Sequence, residues 1–483
     1  MKKILKWRNL KYLVAFLLPI FLVLMRVRAV DNDSWFVLAE GREIWENGVY
    51  FEDKLAMHEG LKVIVQNYGF AVIFWLIYSL LGVGGLYMGM LVCFVVILWL
   101  LYKIYLLVSD GNENFSLGLM VVTGAMLGTL FVVTRAQMVS YVIFLLVMYI
   151  LELYARKGAK KLLWAIPLLS LAQINLHASV WLMMFILMAV FVLDTAREDY
   201  KAKPIIVVGV VSFLVGLINP YGLEMIWFVV KSYMDGGIQG LVVEMQSFAF
   251  TSIWMVMIYV MIASTIALGF FGKSEGVKLR YLLFFIGFLA LGLNTVKGMS
   301  QMILVMLIPI VPMYKNFRLP RLKNEERARF VTLGFTAVLL GFVGVRLVKT
   351  VLELEDEPDA VMRMAVDRLE ERVAEKEEQK SEVRLYTGYN DGGYLEFRGY
   401  KPYIDPRAEV FLETNNGKED ILVEYKDFLR GKVTREELLE KYDFEYIVAR
   451  EDDPFNWDGM EEYGFEVIFD DEATETRVYE KKA

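Results

Sequence analysis

The chain has 483 residues, is 57% hydrophobic and carries a formal net charge of −7, with 51 Lys and Arg against 58 Asp and Glu. Its mean hydropathy of +0.44 and its apolar blocks of roughly 15 to 25 residues, long enough to span a bilayer, exclude an ordinary soluble globule. One cysteine, Cys93, and two histidines, His58 and His177, exclude an intrachain disulfide, a cysteine metal site and a histidine-rich zinc site. Nothing in the composition points to nucleic acid.

The first apolar segment, Tyr12 to Met25, follows Lys2, Lys3, Lys6, Arg8 and Lys11. A basic flank stays on the cytoplasmic side, so Asp31-Asn32-Asp33-Ser34-Trp35-Phe36 is expected at the outer face. No small-x-small pattern follows, and the segment reads as a retained span rather than a cleaved signal. Ionisable groups at a membrane boundary are costly and commonly functional. A carboxylate pair there suits a general base or the ligation of a divalent cation, Mg²⁺ or Mn²⁺. The plain alternative is an N-cap, Asp33 or Ser34 capping a helix that starts at Trp35.

The stretch 31–67 is too long and amphipathic for a simple connector. Trp35, Phe36, Leu38, Ile44 and Trp45 approximate one helix face and Gly48 supplies a stop. A Trp-rich helix of this kind is expected to lie in the membrane interface, as an anchor or as the frame of a site. His58 follows in the same loop, either a substrate contact or a satisfied histidine.

Further apolar segments fall near 68–82, 85–108, 116–133, 137–155, 161–176, 178–193, 204–218, 251–271, 279–293, 299–315 and 330–348. Basic clusters belong inside: Arg156/Lys157/Lys160/Lys161, Arg197/Lys201/Lys203, Lys273/Lys278/Arg280 and the run from Lys315 to Arg329. Reading 68–82 as interfacial or re-entrant, with Gly82, Gly84 and Gly85 as helix breakers, places every cluster inside. The expected architecture is a polytopic α-helical membrane bundle of about 11 crossings, with about 12 or 13 left open. Its N-terminus is cytoplasmic and its C-terminal α/β domain extracellular.

On this topology the polar residues at segment ends share the outer face with Asp31 and Asp33. They are Arg135 and Gln137, Asn175 and His177, Asn219 to Gly222, Glu244 and Gln246, and Asn294 and Lys297. Their convergence predicts a polar cavity open to the outside. Arg26, Arg28, Arg135 and Lys297 run against the positive-inside bias. Because arginine binds phosphate bidentately, Arg135 leads as a phosphate ligand, with Lys297 behind it; the alternative is snorkelling to headgroups. His177 is a substrate contact or an interfacial histidine.

Residues 351–483 change character, setting a soluble domain apart from the membrane domain 1–350. Asp359 to Lys380, Glu419–Leu429 and Arg435–Tyr442 read as helices. Val383–Thr387, Tyr394–Arg398, Phe444–Ala449, Phe465–Phe469 and Thr476–Glu480 read as strands, with a turn at Gly388–Gly393. About 130 residues are enough for one core. There is no P-loop or GxGxxG, so no nucleotide cofactor is expected.

Taken together these features resemble the GT-C superfamily of integral-membrane glycosyltransferases, which includes oligosaccharyltransferase and protein O-mannosyltransferase-like enzymes. Asp31 and Asp33 stand where that superfamily carries an acidic motif after the first crossing. Asp31 lies nearest the first crossing, where that motif begins, and the resemblance thereby implies Asp31 as the base and Asp33 as the cation ligand or cap. The run Asp-x-Asp-x-Trp-Phe, followed by Asn47-Gly48 and Asp53, is similar to the catalytic subunit of oligosaccharyltransferase. Val243-Glu244-Met245-Gln246 stands like that family's loop glutamate. Tyr389-Asn390-Asp391-Gly392-Gly393-Tyr394 stands where the family has Trp-Trp-Asp-Tyr-Gly, and Tyr403-Ile404-Asp405-Pro406-Arg407 follows.

The resemblance implies an inverting glycosyltransferase of the cytoplasmic membrane, embedded in membrane lipids. It would move a sugar or oligosaccharide from a polyprenyl-phosphate or -pyrophosphate donor to a glycan, lipid or protein acceptor. Asp31, Asp33 and Glu244 would act as base or metal ligands, and Asp391 would contact the acceptor. Two rivals remain open. A transporter or lipid flippase predicts repeated halves and broken mid-membrane helices, and no internal repeat is found. A non-catalytic scaffold displaying the α/β domain has no need of an outward acidic cluster.

Overall fold

A computed structural model describes residues 9–26, 30–234, 259–260, 262–263, 265–266, 278–314, 316, 325–352, 360–451 and 453–482. It is mostly helical with a small C-terminal sheet, and it divides into two compact units.

The first unit comprises Met1–Arg28, Tyr87–Asn219 and Val243–Glu353. Four helices among the described residues are long and apolar enough to cross a membrane: Tyr68–Val108, Glu113–Leu130, Gln137–Lys157 and Val331–Lys349. Shorter apolar helices cover Ala178–Asp194, Ala202–Gly216, Leu279–Asn294 and Gly298–Ile310. Small residues let helix backbones approach. A Cβ on Gly128 would come 2.9 Å from Val23, and one on Gly216 would enter the Trp181 ring. Trp181 Nε1 donates to Ser170 Oγ at 2.7 Å, and that hydroxyl donates to the Ser212 carbonyl. The expected span 299–315 is not one continuous helix. The Val296–Val305 helix gives way to two short 3-10 turns, Ile308–Ile310 and Pro312–Tyr314, because Pro309 and Pro312 remove backbone donors. Most of the segment near 251–271 lies outside the described residues.

The second unit comprises Ala29–Leu86, Pro220–Val242 and Leu354–Ala483. The first loop after the opening helix, assigned from sequence to the membrane domain, is thus built together with the C-terminal region. Its helix, Asp33–Asn47, stops at Gly48, whose φ of 85° is in the left-handed region. Gly41 lies so close to the Ala71 carbonyl that a Cβ there would be at 2.1 Å. The helix carrying Ala71 breaks at Gly82, with φ 62° and ψ −164°, as the glycine-rich stretch led one to expect.

The sheet contains β1 (Leu385–Thr387), β2 (Tyr446–Ala449), β3 (Phe465–Asp471) and β4 (Thr476–Lys481), in the order β1-β2-β4-β3. β1 and β2 are parallel; the other pairs are antiparallel. The Ala360–Glu375 helix packs on β3 and β4. Tyr386 centres an aromatic core with Phe444, Phe455 and Tyr403.

One expected strand is a helix. Tyr394–Arg398 reads as β from its aromatic content, yet Gly392–Phe397 is helical. Helical spacing brings Tyr394 and Phe397, three residues apart, onto one face. Both then meet the Trp35 ring, at 5.4 and 5.0 Å. Tertiary packing overrides strand propensity here.

Candidate active site

The acidic motif forms the start of the Asp33–Asn47 helix. Ser34 N–H donates to the Asp31 carbonyl at 2.8 Å, and Asp33 N–H donates to Asp31 Oδ1 at 3.2 Å. Asp31 therefore supplies the side-chain acceptor that the first turn needs. This reverses the expected division of labour, in which Asp33 or Ser34 was the cap. Ser34 is buried, whereas Asp31 and Asp33 are part-exposed. The helix does not present its tryptophans to a membrane interface as one face. Trp35 is fully buried against Tyr394 and Phe397, while Trp45 is 58% exposed.

The second motif meets the first. A Cβ on Gly393 would lie 3.1 Å from both Phe36 N and Phe36 Cβ, and one on Gly392 would lie 2.1 Å from the Ile404 carbonyl oxygen. The two glycines are what let this turn lie between the acidic motif and the Tyr403–Arg407 run. Tyr389 OH donates to the Pro406 carbonyl at 2.8 Å, and Tyr389 N–H to Tyr425 OH. Burial, and then the charges of Glu409, Asp33 and Asp405, hold the Tyr389 phenol protonated, so Asp33 lies within the electrostatic field of Tyr389. Asp391 pairs with Arg450 at 3.2 Å. Near it Asp453 accepts from Tyr386 OH at 2.9 Å, and desolvation pushes its carboxyl up to about 7.

The third motif supplies the centre of a buried ionic cluster. Arg407, 4% exposed, reaches Asp53 Oδ1 at 2.6 Å, Glu396 Oε1 at 2.7 Å and both oxygens of Asp405 at 2.9 and 2.7 Å. It thereby joins the loop after the acidic helix to the Gly392–Phe397 helix. Glu40, 3% exposed, shares this field; desolvation pushes its carboxyl up to about 8 against the pull of Arg407. Arg42 adds a clamp, donating to the Glu396 and Phe397 carbonyls that the short helix leaves free at its end.

His58 Nε2 donates to the Tyr403 carbonyl at 2.7 Å, and its ring packs among Tyr403, Phe411 and Tyr442. That enclosure suits packing better than substrate contact. His177 bonds Ser140 Oγ and Ser179 Oγ through its two nitrogens, both at 2.8 Å. Ser140 also accepts from Gln173 and lines a small cavity with Tyr141, Phe144 and Gln301. Arg135 stands two residues before the Gln137–Lys157 helix, partly exposed. Glu244, Gln246 and Arg28 lie outside the described residues, as does the side chain of Lys297.

Among the described residues no group of three or more His, Cys, Asp or Glu is placed to hold a metal ion. Asp31 already spends one oxygen on backbone, and two carboxylates do not complete the shell of a hard divalent cation. Glu244, the third carboxylate of the expected set, lies outside the described residues.

Sequence reasoning missed Glu40 and Glu396, whose only signal was a carboxylate inside an otherwise apolar helix face. It also read Arg280 as an inside-loop cation, whereas Arg280 is fully buried. There it bonds Glu152 at 2.9 Å and Asp194 at 2.6 Å.

No protein-family model matches the chain, and no curated protein matches it in sequence. Solved structures do share its fold. The arabinofuranosyltransferase AftD from mycobacteria aligns with a TM-score of 0.54 at 12% identity, over 99% of this chain and 42% of that one. This chain thus spans less than half the length of AftD. ArnT from Cupriavidus metallidurans, bound to undecaprenyl phosphate, aligns with a TM-score of 0.52 at 14% identity, over 98% of this chain and 97% of that one. Both are GT-C superfamily membrane glycosyltransferases. The chain has the fold they share, and four of its described helices are long and apolar enough to cross a membrane.

Proposed function

We propose that this protein is a membrane glycosyltransferase that takes a sugar from a polyprenyl-phosphate-linked donor. The observation that carries the reading is the meeting of the acidic motif with the Tyr389–Tyr394 motif, in a chain whose fold follows two such enzymes over nearly its whole length. One of those neighbours holds undecaprenyl phosphate, which supports a lipid-linked donor here. The charge pattern supports a multi-pass topology in the cytoplasmic membrane with the site on the outer face.

In this reading Asp33 is the general base. Its carboxylate accepts the proton of an acceptor hydroxyl or amide as that group attacks the anomeric carbon. The bond from that carbon to the phosphate oxygen breaks, and the polyprenyl phosphate leaves with the electron pair. A single attack of this kind inverts the anomeric centre. Asp391 is the candidate acceptor contact; the roles expected of Arg135 and Glu244 rest on the charge pattern and the resemblance alone. No step is routed through a cation.

The test uses the purified full chain and a polyprenyl-linked sugar of the host membrane. Asp33→Asn is expected to lower transfer by about 10²–10⁴-fold with little change in melting temperature. Full activity in Asp33→Asn, Asp31→Asn and the double variant would end the glycosyltransferase reading.

A further inference from the structure

The Arg407 cluster is short of positive charge. One guanidinium meets Asp53, Asp405 and Glu396, and its polar contacts are used on those three. Glu40, buried at 3% exposure, lies in the same electrostatic field, to which Arg407, Asp405, Asp53 and the half-buried Glu409 contribute. Two phenols also sense its charge, Tyr50 from the loop and Tyr221 from the 220–242 segment. The helix starting at Tyr68 packs on Gly41 through Ala71 and brings no charged side chain to this contact. Glu40 Oε2, Glu396 Oε2 and the Tyr50 hydroxyl have no hydrogen-bond partner among the described residues. A buried carboxylate with no cation of its own is strongly disfavoured, whereas a carboxylic acid is tolerated.

We propose that Glu40 is a positioning residue that holds one proton, and that this proton keeps the Asp33–Asn47 helix seated with its acidic first turn against the Gly392–Gly393 turn. Glu40 and Asp33 lie seven residues apart on that helix, about 10 Å along one face. Whatever moves Glu40 in its seat therefore moves the proposed base. When Glu40 ionises it stands beside Asp53, Asp405 and Glu409 with Arg407 already engaged. The repulsion acts on the same helix that carries the acidic motif. Burial sets this ionisation near pH 8 rather than at the ordinary value of 4.5. The catalytic consequence rests on the function proposed above; the proton does not.

Two measurements separate these points. Infrared difference spectra of the purified full chain, titrated across about pH 8, are expected to show a protonated-carboxyl C=O band that is lost with rising pH. The component near pH 8 is expected to be missing from Glu40→Gln, which keeps the shape and a donor but cannot ionise, while the Asp453 component near 7 stays. Transfer rates across the same range are expected to fall in the natural protein on the alkaline side. In Glu40→Gln they should stay within about twofold at neutral pH, with the alkaline fall moved upward. An identical band and an identical alkaline limb in Glu40→Gln would overturn the proposal. So would a variant that folds normally but is inactive at every pH. If Glu40→Gln does not fold, the band is read in Asp453→Asn, which removes the other carboxyl raised toward neutral pH, and no titrating carboxyl left in this range overturns the assignment. A titrating band lost in Glu40→Gln, in a protein that transfers no sugar, would support the proton and sink the glycosyltransferase reading instead.

Discussion

Arg280 in the helical unit and Arg407 in the other unit are both buried arginines, 0% and 4% exposed, and each holds more than one carboxylate. Around Arg280 the charges balance. Glu152 and Asp194 meet Arg280, and Arg156 also bonds Glu152 at 3.1 Å. Tyr281 OH donates to Glu152 and accepts from both arginines. Around Arg407 they do not balance: three carboxyls bond one guanidinium, a fourth stands beside it, and two carboxyl oxygens and a phenol are unmatched. A complete network is a brace between helix ends. An incomplete one keeps protons and stores polar capacity, and such departures from full satisfaction gather near functional sites. Here the incomplete one carries the helix of the acidic motif.

The sharpest way to break the comparison is to remove each arginine. Arg407→Ala leaves several buried carboxyls with no cation, and its cost is expected to reach or exceed the roughly 3–5 kcal/mol of a broken buried pair. Failure of the full chain to accumulate, or a collapsed melting temperature in detergent, is the expected result. A stable Arg407→Ala would mean that the cluster is already protonated enough to stand without it. Arg280→Ala should cost less, toward the lower end of that range, because Arg156 remains to answer Glu152. Equal losses for the two variants would erase the distinction between balanced and unbalanced networks.

A subtler pair sharpens it further. Tyr281→Phe removes a hydroxyl with partners on both sides and should lower stability by about 1–2 kcal/mol. Tyr50→Phe removes a buried hydroxyl with no partner among the described residues, and deleting such a group is expected to be neutral or stabilising. Melting temperatures of both variants decide the point. A clear loss for Tyr50→Phe would show that a water or ligand group occupies the cluster.

Legibility in the sequence followed the range of the interaction. The stop of the acidic helix at Gly48 was readable because left-handed backbone is a local effect. The break at Gly82 was readable for the same reason. So were the Arg435–Tyr442 helix, which opens with a Thr434–Glu437 capping box, and the strands at Tyr446–Ala449 and Thr476–Lys481. The Gly392–Phe397 helix was misread because its conformation is set by Trp35, more than three hundred residues earlier. Arg280 was misread because a loop cation and a buried one look the same until Glu152 and Asp194 are seen around it.

By itself the sequence determined that this chain belongs in a membrane, where the acidic motif stands, and that three motifs follow one another in order, since hydropathy, charge bias and residue identity are properties of the chain. Only the tertiary structure decided that the motifs meet, that Asp31 accepts from the backbone at the start of its own helix, and that Glu40 is buried in the field of Arg407 with one oxygen unmatched among the described residues. Those facts depend on which distant carboxylates share one buried volume, and the energy of a charge is fixed by its neighbours and its distance from water rather than by its place along the chain.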